Sequence, residues 1–173
     1  LRERVIFVDS LSKTYGMPGW RVGFMAGPEV VAKAMTVLNS THITNLPEVV
    51  VAAAIAALTG PQDVPNGKCA EFQAKRDLVV DTINAIPGVV CPKPQGAFYV
   101  FPDISCAFGK SHNGVKIASD VDFCSALLEA KGVACVPGSA FGEPRAMRIS
   151  YTCPSEQLPK GLQRIQEFFA ELS

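Results

Sequence analysis

Neither sign of charge prevails in this chain, since sixteen lysines and arginines stand against sixteen aspartates and glutamates and no basic run occurs. A field able to gather nucleic acid or an anionic membrane is therefore not expected. Long apolar runs are also scarce. The longest, Val49 to Leu58, has ten residues, about half of the roughly 20 that cross a bilayer. The opening "LRERVIFVDS" has too short an apolar stretch for a secretory signal and no small-residue cleavage site behind it. Histidine is rare: only His42 and His112 occur, and there is no C-x-x-C pair. Neither histidine has a partner at ligand spacing, so no metal site is expected. His112, in the turn-like "SHNGVK", reads as a solvated loop residue. Six scattered cysteines (Cys69, Cys91, Cys106, Cys124, Cys135, Cys153) read as reduced thiols of a cytoplasmic protein. Internal repeats and low-complexity tracts are missing. What is left is a globular chain, 48% hydrophobic over 173 residues, with enough apolar material for a real core.

The chain opens on Leu1 and enters a strand-like run within four residues, which reads as the middle of a longer protein. Arg4 to Val8 is expected as a buried strand and Arg21 to Ala26 as a second, closed by Gly27-Pro28. Pro28 then opens a helix through "EVVAKAMTVLN", and another helix is expected from Pro47 to the Thr59-Gly60-Pro61 stop. "GPQDVPNG" reads as a linker. A helix from Lys68 to Ile86 follows, then short strands in "GAFYVF", "VACV" and "AMRISY", with a helix near Ala118 to Ala130 between the first two. From about Pro154, Leu158, Leu162, Ile165, Phe169 and Leu172 recur on one helical face. The order gives an α/β beginning and an α+β module after it.

Chemistry concentrates in "SLSKTYGMPGWR", Ser10 to Arg21. A lone lysine is nearly always a solvated charge, so its neighbours decide. Lys13 sits at the mouth of a strand, in a loop whose glycines admit another molecule, where a lysine amine can form a Schiff base. Ser10 and Ser12 add hydroxyl donors, and Arg21 adds a planar fork suited to a pair of phosphate oxygens. Together they suit a cofactor that carries both an aldehyde and a phosphate. Ser10-Leu11-Ser12-Lys13 also fits S-x-x-K, the nucleophile motif of penicillin-binding proteins. That chemistry needs a helix that Gly16, Pro18 and Gly19 interrupt, and its companion S-D-N and K-T-G elements do not occur.

The stretch "VDSLSKTYGMPGWRVGFMAGP" resembles the cofactor-lysine region of fold-type I pyridoxal-phosphate aminotransferases of class I/II, especially the aspartate aminotransferase group. "QGAFYVFPDI", "GVACVPGSAFG" and "MRISYT" resemble that family's later landmarks in the family's order, so the likeness covers essentially the whole chain. The resemblance implies that Lys13 carries pyridoxal 5′-phosphate and acts as the catalytic base. It implies that Ser10, Arg21 and, less directly, Ser12 hold the phosphate, and that Arg148 grips the substrate's α-carboxylate. It also implies the C-terminal part of the PLP-dependent transferase fold: residues 1–74 as the tail of the large α/β domain and 75–173 as the α+β small domain. The expected partners are an amino acid and a 2-oxo acid, with a homodimer for the intact enzyme. "PGSAFG", Pro137 to Gly142, has no Walker lysine and reads as a tight connection between strands, while Tyr15 and Trp20 read as packing residues.

Several family features would lie upstream of Leu1: the phosphate-cradling helix start, the ring-stacking aromatic and the aspartate that pairs with the pyridine nitrogen. Two functions of different class therefore stand at this point. One is an aminotransferase, or another PLP enzyme of the same fold, seen in part; the other is a noncatalytic fragment or interaction module. "NSTHITNLPE" holds no arginine or lysine, which argues against the subgroup whose partner subunit reaches the distal carboxylate from that region. Aspartate is the favoured substrate on the resemblance, with alanine and aromatic amino acids as alternatives.

Overall fold

The computed structural model describes residues 2–173. It divides into two compact units, Leu1–Lys68 and Cys69–Ser173, and each is taken by itself.

In the first unit β1 (Phe7–Ser10) pairs antiparallel with β2 (Gly23–Ala26), Phe7 opposite Ala26 and Ser10 opposite Gly23. Strand β1 starts later than the apolar run beginning at Arg4 suggests. Its partner runs out at Gly27-Pro28, and a proline has no N–H with which to extend the ladder. A single-turn helix α1 (Leu11–Thr14) leaves β1 directly. Helices α2 (Glu29–His42) and α3 (Glu48–Thr59) follow, with Pro28 and Pro47 as the extended residues just before them. Exposed His42 ends α2.

The expected linker is mostly helix, because α4 runs over Asp63–Asn84. Pro65 falls within the first turn, where the backbone N–H groups have no intrahelical acceptor to lose. Asp63 adds a negative charge at the positive end of the helix dipole.

In the second unit β3 (Tyr99–Val100), β7 (Met147–Ser150) and β6 (Val136–Pro137) form an antiparallel sheet with β7 in the middle. Strand β6 begins three residues after the first valine of "VACV", and Pro137 sits on this edge strand where its missing N–H is tolerated. Helices α5 (Asp120–Lys131) and α6 (Leu158–Ala170) complete the unit. Val79 and Ile83 of α4, Phe123 and Leu127 of α5, and Leu162, Ile165 and Phe168 of α6 meet Met147, Ile149 and Tyr151 in one buried core. Alternation along β7 buries Met147 and Ile149 and leaves Arg148 half-buried and Ser150 exposed.

A small hairpin, β4 (Ser111–His112) and β5 (Val115–Lys116), turns through Asn113 and Gly114 at φ 49° and 81°, the double left-handed turn that matches strand twist. His112 on it is not a solvated loop residue. It is 7% exposed, its ring centre lies 4.8 Å from that of Phe168, and Nε2 is 3.0 Å from Glu171 Oε2. Asn113 and Gly114 take the turn itself, which leaves His112 on the strand against α6. All six cysteines are free thiols. No helix among the described residues is long and apolar enough to cross a membrane.

Candidate active site

Lys13 stands where β1 ends and the chain turns back. One step beyond the last ladder pair, the Leu11 N–H donates to the Val22 carbonyl at 3.3 Å. Ser10 is still extended (φ −139°, ψ 156°) and caps α1 without spending its hydroxyl on it. Leu11, 1% exposed, roots the turn in the interior, and the helical twist then leaves Ser12 half-buried and Lys13 exposed. Arg21 sits at φ 51°, the left-handed region that a residue with a Cβ seldom occupies. Its Nη1 donates to the Pro18 carbonyl at 2.9 Å, a bond that bends the side chain back over the Met17–Trp20 turn. Arg21 immediately precedes Val22 and Gly23, so the hairpin carries it to the same end as Ser10, Ser12 and Lys13.

Four of the five sequence-derived site residues thus share one loop cluster. Among the described residues neither the Ser10 nor the Ser12 hydroxyl has a hydrogen-bond partner. The Ser10 N–H donates to Asp9 Oδ1 at 2.7 Å, so the hydroxyl is the donor that Ser10 has left to offer a ligand. Two uncommitted hydroxyls, a guanidinium with donors to spare and an amine fit a phosphate-bearing aldehyde in charge and in hydrogen-bond sense.

The loop is tied down by a contact not legible in the sequence. The Tyr15 hydroxyl donates to Gln62 Oε1 at 3.0 Å, and Gln62 Nε2 donates in turn to the carbonyls of Ala57 and Gly60 at 3.0 and 2.8 Å. Gln62 lies in the stretch expected as linker, where no periodic pattern marks it. Trp20, by contrast, is 43% exposed and not a core residue here.

The fifth residue, Arg148, belongs to the second unit. Its Cζ lies 4.5 Å from the ring centre of Tyr99 and 4.4 Å from that of Phe141, so two aromatic rings contact the guanidinium. Among the described residues no carboxylate pairs with it. The N–H donors around its edge remain for a planar anion such as a carboxylate. Phe141 closes the 3₁₀ turn Gly138–Phe141 that joins β6 to β7, so Pro137 to Gly142 is the connection between strands that its composition suggests. Gly138 is needed there: a Cβ would lie against the Glu143 carbonyl oxygen and 2.5 Å from that of Ala146.

The family model described as "Aminotransferase class I and II" matches residues 2–165. An aspartate/prephenate aminotransferase of Cereibacter sphaeroides is 46% identical over 174 aligned positions, which are 100% of this chain and 44% of that relative. The crystal structure of the aspartate aminotransferase from Rhizobium meliloti superposes with TM-score 0.93 at 42% identity, covering 100% of this chain and 44% of that one. An aromatic aminotransferase from Pyrococcus horikoshii OT3 superposes with TM-score 0.86 at 32% identity, covering 98% of this chain and 44% of that one. The chain therefore spans less than half the length of these proteins.

Proposed function

This chain belongs to the class I and II aminotransferases, and from that premise we propose that the protein moves an amino group between an L-amino acid and a 2-oxo acid, using pyridoxal 5′-phosphate attached at Lys13. The observation that carries the reading is the gathering of Ser10, Ser12, Lys13 and Arg21 at one end of the β1–β2 ladder, with both serine hydroxyls uncommitted. When bound, the cofactor supplies an electron sink for charge left on the substrate's α-carbon. The protein residues supply placement and proton transfer.

Ser10 and Ser12 donate hydroxyl hydrogen bonds to the phosphate, and Arg21 presents its remaining guanidinium N–H groups to the same anion. Lys13 Nζ would be the attachment point, and its amine would take the proton from the substrate's α-carbon. Arg148 donates the N–H groups at the edge of its guanidinium to the α-carboxylate. Aspartate is the proposed amino donor, in line with the names of the Cereibacter and Rhizobium relatives. Residues 1–74 are proposed as the end of the large domain and 75–173 as the small domain of a cytoplasmic homodimer. The activity is assigned to a protein of its relatives' length; the 173 residues by themselves are expected to be inactive.

The test uses the native-length protein loaded with cofactor. Borohydride reduction should fix the cofactor's mass on the peptide that contains Lys13, and Lys13→Ala should abolish both that adduct and amino transfer from aspartate to 2-oxoglutarate. Full activity in Lys13→Ala, or the adduct on another lysine, overturns the proposal.

A further inference from the structure

Of the two rings that hold Arg148, Tyr99 has an evident anchor, since it faces Ser150 in the β3–β7 ladder. Phe141 has none of that kind. It ends a 3₁₀ turn, is 50% exposed, and among the described residues the one ring it meets is that of Phe101, 6.0 Å away. Something else must hold the turn in place.

Besides the backbone hydrogen bonds of Gly138 with Ala146 and Glu143, one side-chain tether comes from α5. Asp120, in the first turn of that helix and 2% exposed, accepts a hydrogen bond from the Ser139 N–H at 2.7 Å. A carboxylate buried this completely is very unfavourable unless its oxygens are satisfied. Burial by itself raises the Asp120 carboxyl. The N–H and hydroxyl of Ser139, with the N–H groups of Val121 and Asp120 itself, outweigh that effect and hold it below the ordinary carboxylate value. Asp120 is therefore an ionised group committed to the β6–β7 turn, two residues from Phe141. Ser119 caps α5 by accepting from the Asp122 N–H, and Asp122 accepts in return from the Ser119 hydroxyl and the Ala118 N–H at 2.9 and 3.1 Å. The helix end that carries Asp120 is thus fixed without Asp120 serving as its cap.

We propose that Asp120 is a positioning residue for carboxylate recognition: through the Ser139 N–H it seats the Gly138–Phe141 turn, so that Phe141 packs on the Arg148 guanidinium beside Tyr99 and the fork keeps one orientation. The inference rests on Arg148 being the carboxylate-binding residue, as proposed above. It adds that the aromatic clamp, and the buried acid behind it, set the affinity for the carboxylate.

The test compares Asp120→Ala, Phe141→Leu and Asp120→Asn in the cofactor-loaded, native-length protein. It reads the dissociation constant of succinate, a dicarboxylate without an amine, then KM and kcat for aspartate, and the affinity for the cofactor. Asp120→Ala and Phe141→Leu should each weaken succinate binding and raise KM by about 3- to 30-fold, the range expected for losing one cation–π contact. Both should leave cofactor affinity unchanged, and kcat should fall by less than KM rises. Asp120→Asn, which keeps an acceptor for the Ser139 N–H, should restore most of the affinity. The double variant should bind succinate about as well as Phe141→Leu alone, because the two residues act in series. Phe141→Leu leaves the buried acid and its hydrogen bonds intact, so it keeps the test decisive where Asp120→Ala does not fold: unchanged succinate affinity in it also overturns the proposal. Unchanged succinate affinity in Asp120→Ala, or fully additive losses in the double variant, overturns the positioning role while Arg148→Lys still weakens binding. If Arg148→Lys binds succinate normally, the carboxylate assignment of Arg148 fails and this inference fails with it.

Discussion

Substituting Gly138 by alanine tests the geometry of the β6–β7 turn most directly. The added Cβ would press on the Glu143 carbonyl oxygen, 2.5 Å from the Ala146 oxygen and 2.8 Å from the Ala146 carbonyl carbon. All three neighbours are backbone atoms, so no side chain can rotate away. Relief requires the two segments to separate, against the hydrogen bonds from Gly138 N to Ala146 O (2.9 Å) and from Glu143 N to Gly138 O (3.1 Å). Overpacking of this kind costs about 1–3 kcal/mol, and two weakened hydrogen bonds add about 1 kcal/mol each. Loss of glycine's freedom in the unfolded chain returns about 0.4–1 kcal/mol. The net loss is about 2–5 kcal/mol, or about 10–20 °C in the thermal midpoint of a unit of this size. Gly142→Ala is the control. Its φ is 83° but nothing lies within 4 Å of the new Cβ, so only the left-handed backbone opposes it, at about 1–2 kcal/mol. Thermal unfolding of the native-length variants, with amide exchange at Ser139 as a local readout, should rank Gly138→Ala as the worse. A midpoint for Gly138→Ala within about 1 °C of the parent, or a reversed ranking, refutes the close approach on which the turn depends.

Acidification should weaken the second unit. Glu171 is held below its ordinary value of 4.5, first by Lys131 and then by His112, and Asp120 is held below 3.8. A carboxyl with a depressed folded-state value stabilises the fold above its unfolded value and loses that contribution as pH falls through the folded one. The denaturation midpoint should therefore drop between about pH 5 and about pH 2, and Glu171→Gln should flatten the upper part of that drop; a pH-independent midpoint across this range refutes the assignment. Burial raises the Cys91 and Cys124 thiols to about 11 and that of Cys135 to about 12. Iodoacetamide at neutral pH should leave all three unmodified in the folded protein, as read by peptide mass, and rapid labelling of any of them contradicts the packing described.

The parts of this molecule that could be read from its sequence are those where a local signal and the tertiary outcome coincide. Helix α3 has alanine-rich propensity and a Gly-Pro stop, and α6 has a three- and four-residue apolar period that the core takes up through Leu158, Leu162 and Ile165. The turn after β1 was legible because Gly16, Pro18 and Gly19 stop any helix there within about a turn. Two readings failed where a long-range partner decided the matter. The "DVPNG" stretch looks like a loop by composition, yet the first turn of a helix tolerates Pro65, and nothing local signals that Gln62 locks Tyr15. His112 looks like a turn residue because Asn113-Gly114 follows it. Its burial depends on Phe168 and Glu171, more than fifty residues away. Asp120 likewise resembles an ordinary first-turn acid, and its tie to Ser139 spans nineteen positions.

The two units differ in how well they can stand in water, and that difference predicts where the 173-residue chain will be cut. The second unit has a continuous buried core drawn from α4, α5, α6 and the sheet. In the first, Leu11 and Val22 are the buried apolar residues among those described, and neither α2 nor α3 buries any side chain. Helix α3 is apolar on every side, with Val49 66% and Ile55 56% exposed, and Val8 on β1 is 73% exposed. A helix of that composition is stable when covered and frays when it is not. Local opening in such a region has a low free energy, and proteases act on the open form. Limited trypsin treatment of the isolated chain should therefore cleave first at Lys33, whose side chain is 76% exposed on α2, and leave a resistant product from about Cys69 onward. In a protein of the relatives' full length the same lysine should be protected. Equal resistance of both units in the isolated chain would show that the first unit is stabilised by something other than burial of its apolar surface.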